Sequence, residues 1–136
     1  MTHQPVTLEM KTISYFLAGV SIGIIVFQSA FVAPIVFKQL KDGASGPFLR
    51  ALFPRFFAAL AVLGIGLAID AWLSTFMIGW VAGLAAFAAG AMAYLIIPAT
   101  NKARDQGHAG KFKRLHTVSV LLMLIIAGAN LFVVFN

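Results

Sequence analysis

The 136-residue chain has no cysteine and little charge. The lack of cysteine excludes disulfides, thiolate metal sites and cysteine nucleophiles. Only 10% of the residues are charged and 61% are hydrophobic, whereas a typical soluble domain is about 25% charged and about 45–50% apolar. A soluble domain of this size would leave much of that apolar surface in water. We therefore expect lipid to surround most of the chain.

The sequence also lacks the motifs of common catalytic sites. It contains no P-loop, no HExxH, no GxSxG and no paired intramembrane carboxylates. A buried b-type haem usually needs two axial ligands, commonly histidine, and only His116 adjoins an apolar stretch, since His3 and His108 lie in polar segments. We therefore predict no catalytic residue, no metal site and no cofactor.

Four apolar stretches are each long enough to cross a hydrocarbon core about 30 Å thick. The predicted spans cover residues 12–37, 56–73, 76–98 and 116–135. Few residues separate the second span from the third, which indicates a tight antiparallel hairpin. The sequence predicts one all-α domain over residues 1–136, an antiparallel up-down four-helix bundle in a membrane.

A short amphipathic segment precedes the second span. Pro47 suits the first position of a helix, and residues 48–55 mix phenylalanine and leucine with two arginines. We predict a short interfacial helix that bends into the second span at Pro54. A cleaved signal peptide is a poor interpretation of the first span, because the stretch is too long and Lys38 follows it directly.

Nine of the ten basic residues lie in two short loops. The first loop carries Lys38, Lys41, Arg50 and Arg55, and the third carries Lys102, Arg104, Lys111, Lys113 and Arg114. The positive-inside rule then predicts cytoplasmic loops and both termini outside, in a bacterial cytoplasmic (inner) membrane. The net charge of +6 is thereby explained by topology, and no nucleic-acid partner is expected.

Small residues recur at four-residue spacing, a pattern typical of close helix packing in lipid. The rows are Gly19 and Gly23, Leu60–Gly64–Ala68, Gly79 and Gly83, and Ala82–Ala86–Gly90. On the first span, Gly19 and Gly23 lie roughly opposite Ser14, Ser21 and Gln28, which predicts one packing stripe and one polar stripe. Packing within one bundle is favoured, and a homo-oligomer or a partner in a membrane complex stays open.

Polar residues within the spans are candidates for a ligand site, because each costs free energy to insert. We assign Gln28, Ser21, Asn130 and Asp70 to such a site. Pro34 predicts a kink near Gln28. The alternatives are that Gln28 only bonds a neighbouring helix, that Asn130 belongs to a packing seam, and that Asp70 is hydrated at the interface or coupled to protons.

A second candidate site lies at the cytoplasmic end, where three helix ends meet. Its predicted members are Arg55, Asn101, Arg104, Arg114 and His116. Asp105 offsets only one of the positive charges, so the cluster favours an anionic ligand or an anionic lipid headgroup. The alternative is that these residues only determine topology.

Three sequence blocks are similar to a known family. Residues 33–40 (APIVFKQL), 52–56 (LFPRF) and 112–119 (FKRLHTVS) resemble the transmembrane protein 205-like family of four-helix membrane proteins. The resemblance implies a polytopic membrane protein of mostly unknown biochemical role, and the link of the vertebrate namesake to platinum-drug tolerance suggests export or trafficking. The matching positions are Pro34, Phe37, Pro54, Arg55, Arg104, His116 and Ser119. Met123 departs from the pattern, since an asparagine is expected there.

The functional interpretation has two branches. The first is that the protein binds or moves a small solute, such as a metal or drug-like compound, or supports a larger membrane complex. The second is a membrane-embedded oxidoreductase, because residues 98–101 (PATN) before residues 114–116 (RLH) are also similar to anthrone oxygenase-like membrane proteins. A Soret band in protein purified in mild detergent would favour the second branch.

The predicted orientation is tested by reporter fusions. Alkaline phosphatase is active only outside the cytoplasm, so a fusion after Asn136 should be active and a fusion within residues 107–110 inactive. The opposite pattern would reverse the orientation.

Overall fold

The structure, a computed structural model, describes residues 5–40 and 43–136, with side chains from residue 11 onward. His3, Lys41 and Asp42 therefore lie outside the described residues. The helices are α1 (Pro5–Phe27), a π-helical turn (Gln28–Val32), α2 (Ala33–Gln39), α3 (Ser45–Leu73), α4 (Met77–Asp105) and α5 (Ala109–Val134). Four helical stretches are long and apolar enough to cross a membrane, and they are Lys11–Gln39, Ser45–Leu73, Met77–Asp105 and Ala109–Val134. The all-α prediction with four spans is confirmed.

The four long helices form a closed ring. Helix α3 packs against α4, α4 packs against α5, and α1 contacts both α5 and α3. The connections at residues 74–76 and 106–108 are too short to allow anything but antiparallel neighbours. The end of α2, the start of α3 and the connection at residues 106–108 lie at one end of the bundle, here named the basic end.

Both short connections use the same helix-ending geometry. Gly107 has a φ of 69° and Thr75 a φ of 55°, so each chain reverses through a left-handed residue. The His108 amide then donates to the Ala103 carbonyl at 2.9 Å, and the Phe76 amide donates to the Ala71 carbonyl at 2.8 Å. These bonds satisfy carbonyls at the helix ends and fix the antiparallel hairpins.

The closest helix contact is the seam between α3 and α4. A Cβ atom on Gly64 would lie 2.5 Å from the Phe87 backbone nitrogen. A Cβ on Gly83 would overlap the backbone of Ala68, and one on Gly90 would lie 3.0 Å from the Ala61 nitrogen. The predicted small-residue rows on these two helices therefore mark true packing, since only glycine permits this backbone approach.

The packing stripe predicted on the first span is wrong. Gly19 and Gly23 face outward, with no atom within 4 Å of an added Cβ. Ser14 and Ser21 are instead fully buried, at 0% and 1% exposure. Exposing a polar side chain to lipid costs free energy. The polar stripe therefore faces the other helices, and the two glycines face the lipid.

The separate interfacial helix predicted before the second span is also corrected. Its residues form the first turns of α3, and Pro54 lies inside that helix. The buried positions Leu49, Phe56 and Leu60 keep helical spacing across the proline, so packing holds the helix together. Pro54 has no amide hydrogen, so one backbone hydrogen bond of the helix is missing in this turn. In the same turn the Arg55 guanidinium donates to the Ala51 carbonyl at 2.5 Å.

The kink predicted from Pro34 is present as a change of helix type. Residues Gln28–Val32 form a π-helical turn, in which the Ala33 amide donates to the Gln28 carbonyl. Pro34 cannot donate to the carbonyl four residues earlier, and the wider π turn accommodates that gap. Such turns insert one residue into a helix and are frequent at functional sites.

The glycine seam predicts a specific loss of stability. Gly83→Ala should lower the free energy of unfolding by about 1–3 kcal/mol, because the added methyl group overpacks against the Ala68 backbone. The matched control is Gly128→Ala on α5, where an added Cβ meets open space and the change should be neutral or stabilising. Unfolding in mixed micelles measures both, and equal stabilities would contradict the close seam.

Candidate functional site

A cavity of about 540 Å³ lies inside the basic end of the bundle. Its walls come from the π turn and α2, the first turns of α3, the last turns of α4 and the first turns of α5. Ligand pockets commonly measure about 300–1,000 Å³. The cavity is thus large enough for a small organic molecule.

The helix break at the π turn explains why the bundle is hollow here. Upstream of the break, α1 packs against α5 and α3. Downstream, the π turn contacts α1 and α2, and neither it nor α2 packs extensively against the described residues of α3, α4 or α5. The first span therefore diverges from its neighbours at Gln28, and the space that opens is the cavity.

Phenylalanine is the most frequent residue in the cavity wall. Five phenylalanine side chains line it, and they are Phe37, Phe53, Phe56, Phe57 and Phe112. Phe56 and Phe57 are buried and meet edge to face with ring centroids 5.0 Å apart. Rigid rings that fix one another give a preformed apolar surface suited to a flat or elongated apolar ligand.

Gln28 supplies a polar group to this apolar wall. It is only 7% exposed, lines the cavity, and its side-chain amide makes no hydrogen bond to the described residues. Beside it, the Ser29 hydroxyl lies 4.0 Å from the Met123 sulfur across the cavity wall. The amide is therefore available to a hydrogen-bonding ligand in the cavity.

The rim of the cavity carries the charges. Arg50 and Asp105 form a two-pronged ion pair, one bond of which joins Nη1 to Oδ2 at 3.1 Å. The Arg104 guanidinium lies 5.9 Å from the centre of the Phe112 ring. His116 stacks on the same ring at 5.9 Å and 11° between planes. Asp105 is paired with Arg50, and Arg104, which also lines the cavity, forms no ion pair with the described carboxylates.

The structure brings three of the five residues of the predicted anion cluster together and places the other two elsewhere. Asn101, Arg104 and His116 line the cavity together. Arg55 lies on the outer side, in an open groove between α1 and α3. Arg114 is exposed and lines neither space.

The predicted ligand set is also divided. Gln28 lines the cavity, but Ser21, Asn130 and Asp70 do not. The Ser21 hydroxyl donates to the Leu17 carbonyl at 3.0 Å, within its own helix. Asn130 is 1% exposed, and its Nδ2 donates to the Ile126 carbonyl at 2.8 Å. Its Oδ1 is a buried acceptor without a partner.

Asp70 has a partner that the sequence did not reveal. At the end opposite the cavity, the Ser14 hydroxyl donates to Asp70 Oδ2 at 2.5 Å. Ser14 is fully buried, so this bond ties α1 to the end of α3. The structure therefore separates a polar tie at one end from the cavity at the other.

In the described part of the chain no three histidine, cysteine, aspartate or glutamate side chains group together. The side chains that the cavity does present are a carboxamide, hydroxyls, a thioether, an imidazole and a guanidinium. These groups bind by hydrogen bonds and by charge. The arrangement is suited to holding an apolar molecule that carries an acidic group.

Sequence reasoning did not assign the five phenylalanines or Thr100 to a site, and it predicted that Asp105 offsets one positive charge without identifying Arg50 as the partner. Phenylalanine is abundant throughout the spans, with 13 in the chain, so composition did not distinguish cavity walls from lipid-facing positions. The partners Arg50 and Asp105 lie 55 residues apart. The available signal was that both sit at span ends on the same side.

A family model for a domain of unknown function, DUF4149, matches residues 16–109, which is more than half of the chain. The chain belongs to the DUF4149 family. The matched region contains α2, α3 and α4 whole and begins within α1. No curated protein and no solved structure matches the chain.

The tie at the opposite end gives a stability prediction. Ser14→Ala should lower the free energy of unfolding by about 1–3 kcal/mol, because it leaves Asp70 without its donor. Ser21→Ala, the matched control, loses only a bond within one helix and should cost less than about 1 kcal/mol. Denaturation in mixed micelles compares them, and a larger loss for Ser21→Ala would contradict the assignment.

Proposed function

We propose that the protein binds an amphipathic anion, a molecule with an apolar body and an acidic group, in the cavity at its basic end. The supporting observation is Gln28, whose side chain is nine-tenths buried, lines the cavity and makes no hydrogen bond to the described residues. A purely structural void would be satisfied by apolar residues alone. An unpaired amide on a cavity wall is the kind of group that fixes the orientation of a ligand.

The acidic end of the ligand is assigned to the rim. Arg104 and His116 both contact the Phe112 ring, which holds their side chains near the cavity entrance. Asn101 and Thr100 lie beside them on α4. A carboxylate, sulfonate or phosphate placed there would accept charge-assisted hydrogen bonds in surroundings of low dielectric.

The proposal includes the orientation of the chain. The described basic residues other than Lys11 lie at or near the basic end, which supports a cytoplasmic position for the cavity entrance. An anionic lipid headgroup in that leaflet and a soluble anion share the recognition chemistry. Relation to the transmembrane protein 205-like proteins is part of the same proposal, supported by the three sequence blocks above.

Binding is measured with dansyl-undecanoic acid, which carries a carboxylate, an alkyl chain and a polar sulfonamide, in nanodiscs of phosphatidylcholine. Gln28→Leu should weaken its binding by about 3- to 10-fold, the loss of one hydrogen bond. Gln39→Leu is the matched control, since Gln39 is exposed and outside the cavity. Equal weakening by both variants, or by neither, would contradict the site.

The role of the rim is tested by removing one charge at a time. Arg104→Ala should weaken binding of the acid by about tenfold or more, because it removes a charge-assisted contact. Binding of the methyl ester of the same probe should change little. If Arg104→Ala weakened binding of the acid and of the ester equally, Arg104 would support the fold and would not recognise the acidic group.

A further inference from the structure

A groove on the lipid-facing surface runs along the other side of the cavity wall. It lies between α1 and α3, measures about 540 Å³ and is open along its length. Val20, Gly23, Ile24 and Phe27 form one side of it, with Val32 beyond the kink. Leu52, Arg55 and Phe56 on α3 form the other side.

The groove and the cavity share two residues. Gln28 and Phe56 line both spaces, so the wall between them is about one side chain thick. Gln28 begins the π turn, where α1 starts to diverge from α3. The thinnest part of the wall therefore coincides with the least supported part of the helix.

The groove has the chemistry of a lipid chain with an acidic head. Its lining is almost wholly aliphatic and aromatic along α1. Arg55, at its basic end, is exposed and forms no ion pair with the described carboxylates. The space over Gly23 is open, because an added Cβ there would meet no atom within 4 Å.

We infer that the ligand enters the cavity sideways from the membrane, through the α1–α3 groove and past Gln28 and Phe56. The entering molecule is a single-chain anionic amphiphile, whose acidic group contacts Arg55 while its chain lies along Gly23. A side-chain rotation at Gln28 and Phe56 joins the two spaces. The inference rests on the proposed binding function and adds the route by which the ligand arrives.

The absence of cysteine makes this route measurable. Ser119 lines the cavity but not the groove, so Ser119→Cys places one reactive thiol inside a cysteine-free background. In phosphatidylcholine nanodiscs, N-dodecylmaleimide reaches the thiol from the lipid and a sulfonated maleimide reaches it from water. The two labelling rates report the two entrances separately.

Filling the groove should then slow only one of the reagents. Gly23→Leu in the Ser119→Cys protein should slow labelling by N-dodecylmaleimide by about tenfold or more, with the sulfonated reagent unchanged. Gly19→Leu is the matched control, because Gly19 is also open to lipid but lies outside the groove, and both rates should stay the same. Val20→Phe fills the groove by a different residue and should repeat the effect of Gly23→Leu.

Each other outcome overturns the lateral route. An unchanged N-dodecylmaleimide rate in Gly23→Leu and Val20→Phe would show that the ligand enters at the rim. Equal slowing of both reagents in both variants would show that the groove and cavity have no separate entrances. Failure of the proposed function would be seen in a different experiment. In that case Gln28→Leu would not weaken the binding of dansyl-undecanoic acid, while the labelling rates of the Ser119→Cys variants would keep the pattern expected for the lateral route.

Discussion

The close backbone contact between α3 and α4 is the constraint on which the rest of the structure depends. In lipid, apolar surface gains little by leaving the solvent, so helices associate through close packing and a few polar bonds. The glycines at positions 64, 83 and 90 let two long helices touch along much of their length. Helices α3 and α4 therefore form a closely packed pair, and α5 packs against α4. Helix α1 has no comparable seam and is attached mainly through its buried polar face.

That difference in attachment divides the molecule into two functional parts. At the end opposite the cavity, Ser14 and Asp70 bind α1 to α3 by a polar bond, and the helices stay together. At the basic end no polar bond between described side chains holds α2, and the break at Gln28 lets it diverge. The cavity therefore does not require a special fold. It follows from anchoring one helix at one end only.

Much of the fold could be predicted from the sequence because lipid imposes strong rules on composition. Span number, the tight hairpin and the kink caused by Pro34 all follow from chain length, charge and missing amide donors. Helix ends were less predictable, since α3 continues through Pro54 where local preference favours a bend. The reason is that burial of Leu49 and Phe56 on one face outweighs one lost backbone bond.

The site was only partly predictable, for a physical reason that differs between residue types. Gln28 and Arg104 stood out because polar groups near lipid are costly. Phe53 and Phe57 did not, because an apolar side chain satisfies lipid and a cavity equally well. The pairing of Asp70 with Ser14 was missed because depth in the membrane, which the sequence gives, does not determine which helix faces which.

The π turn has a consequence for how the first span is compared between related chains. In an uninterrupted α-helix one additional residue would rotate everything after it by about 100° around the helix axis, and the π turn absorbs that residue locally. The buried position of Val36 and the cavity position of Phe37 therefore belong to a second helical frame, offset by one residue from the frame of Ser14, Ser21 and Gln28. A relative shorter by one residue within positions 28–32, with an uninterrupted α-helix there, would turn the same face of α2 toward the bundle, although its residue numbers would follow a single frame. Equivalence of side chains on this span holds only when the two frames are aligned separately.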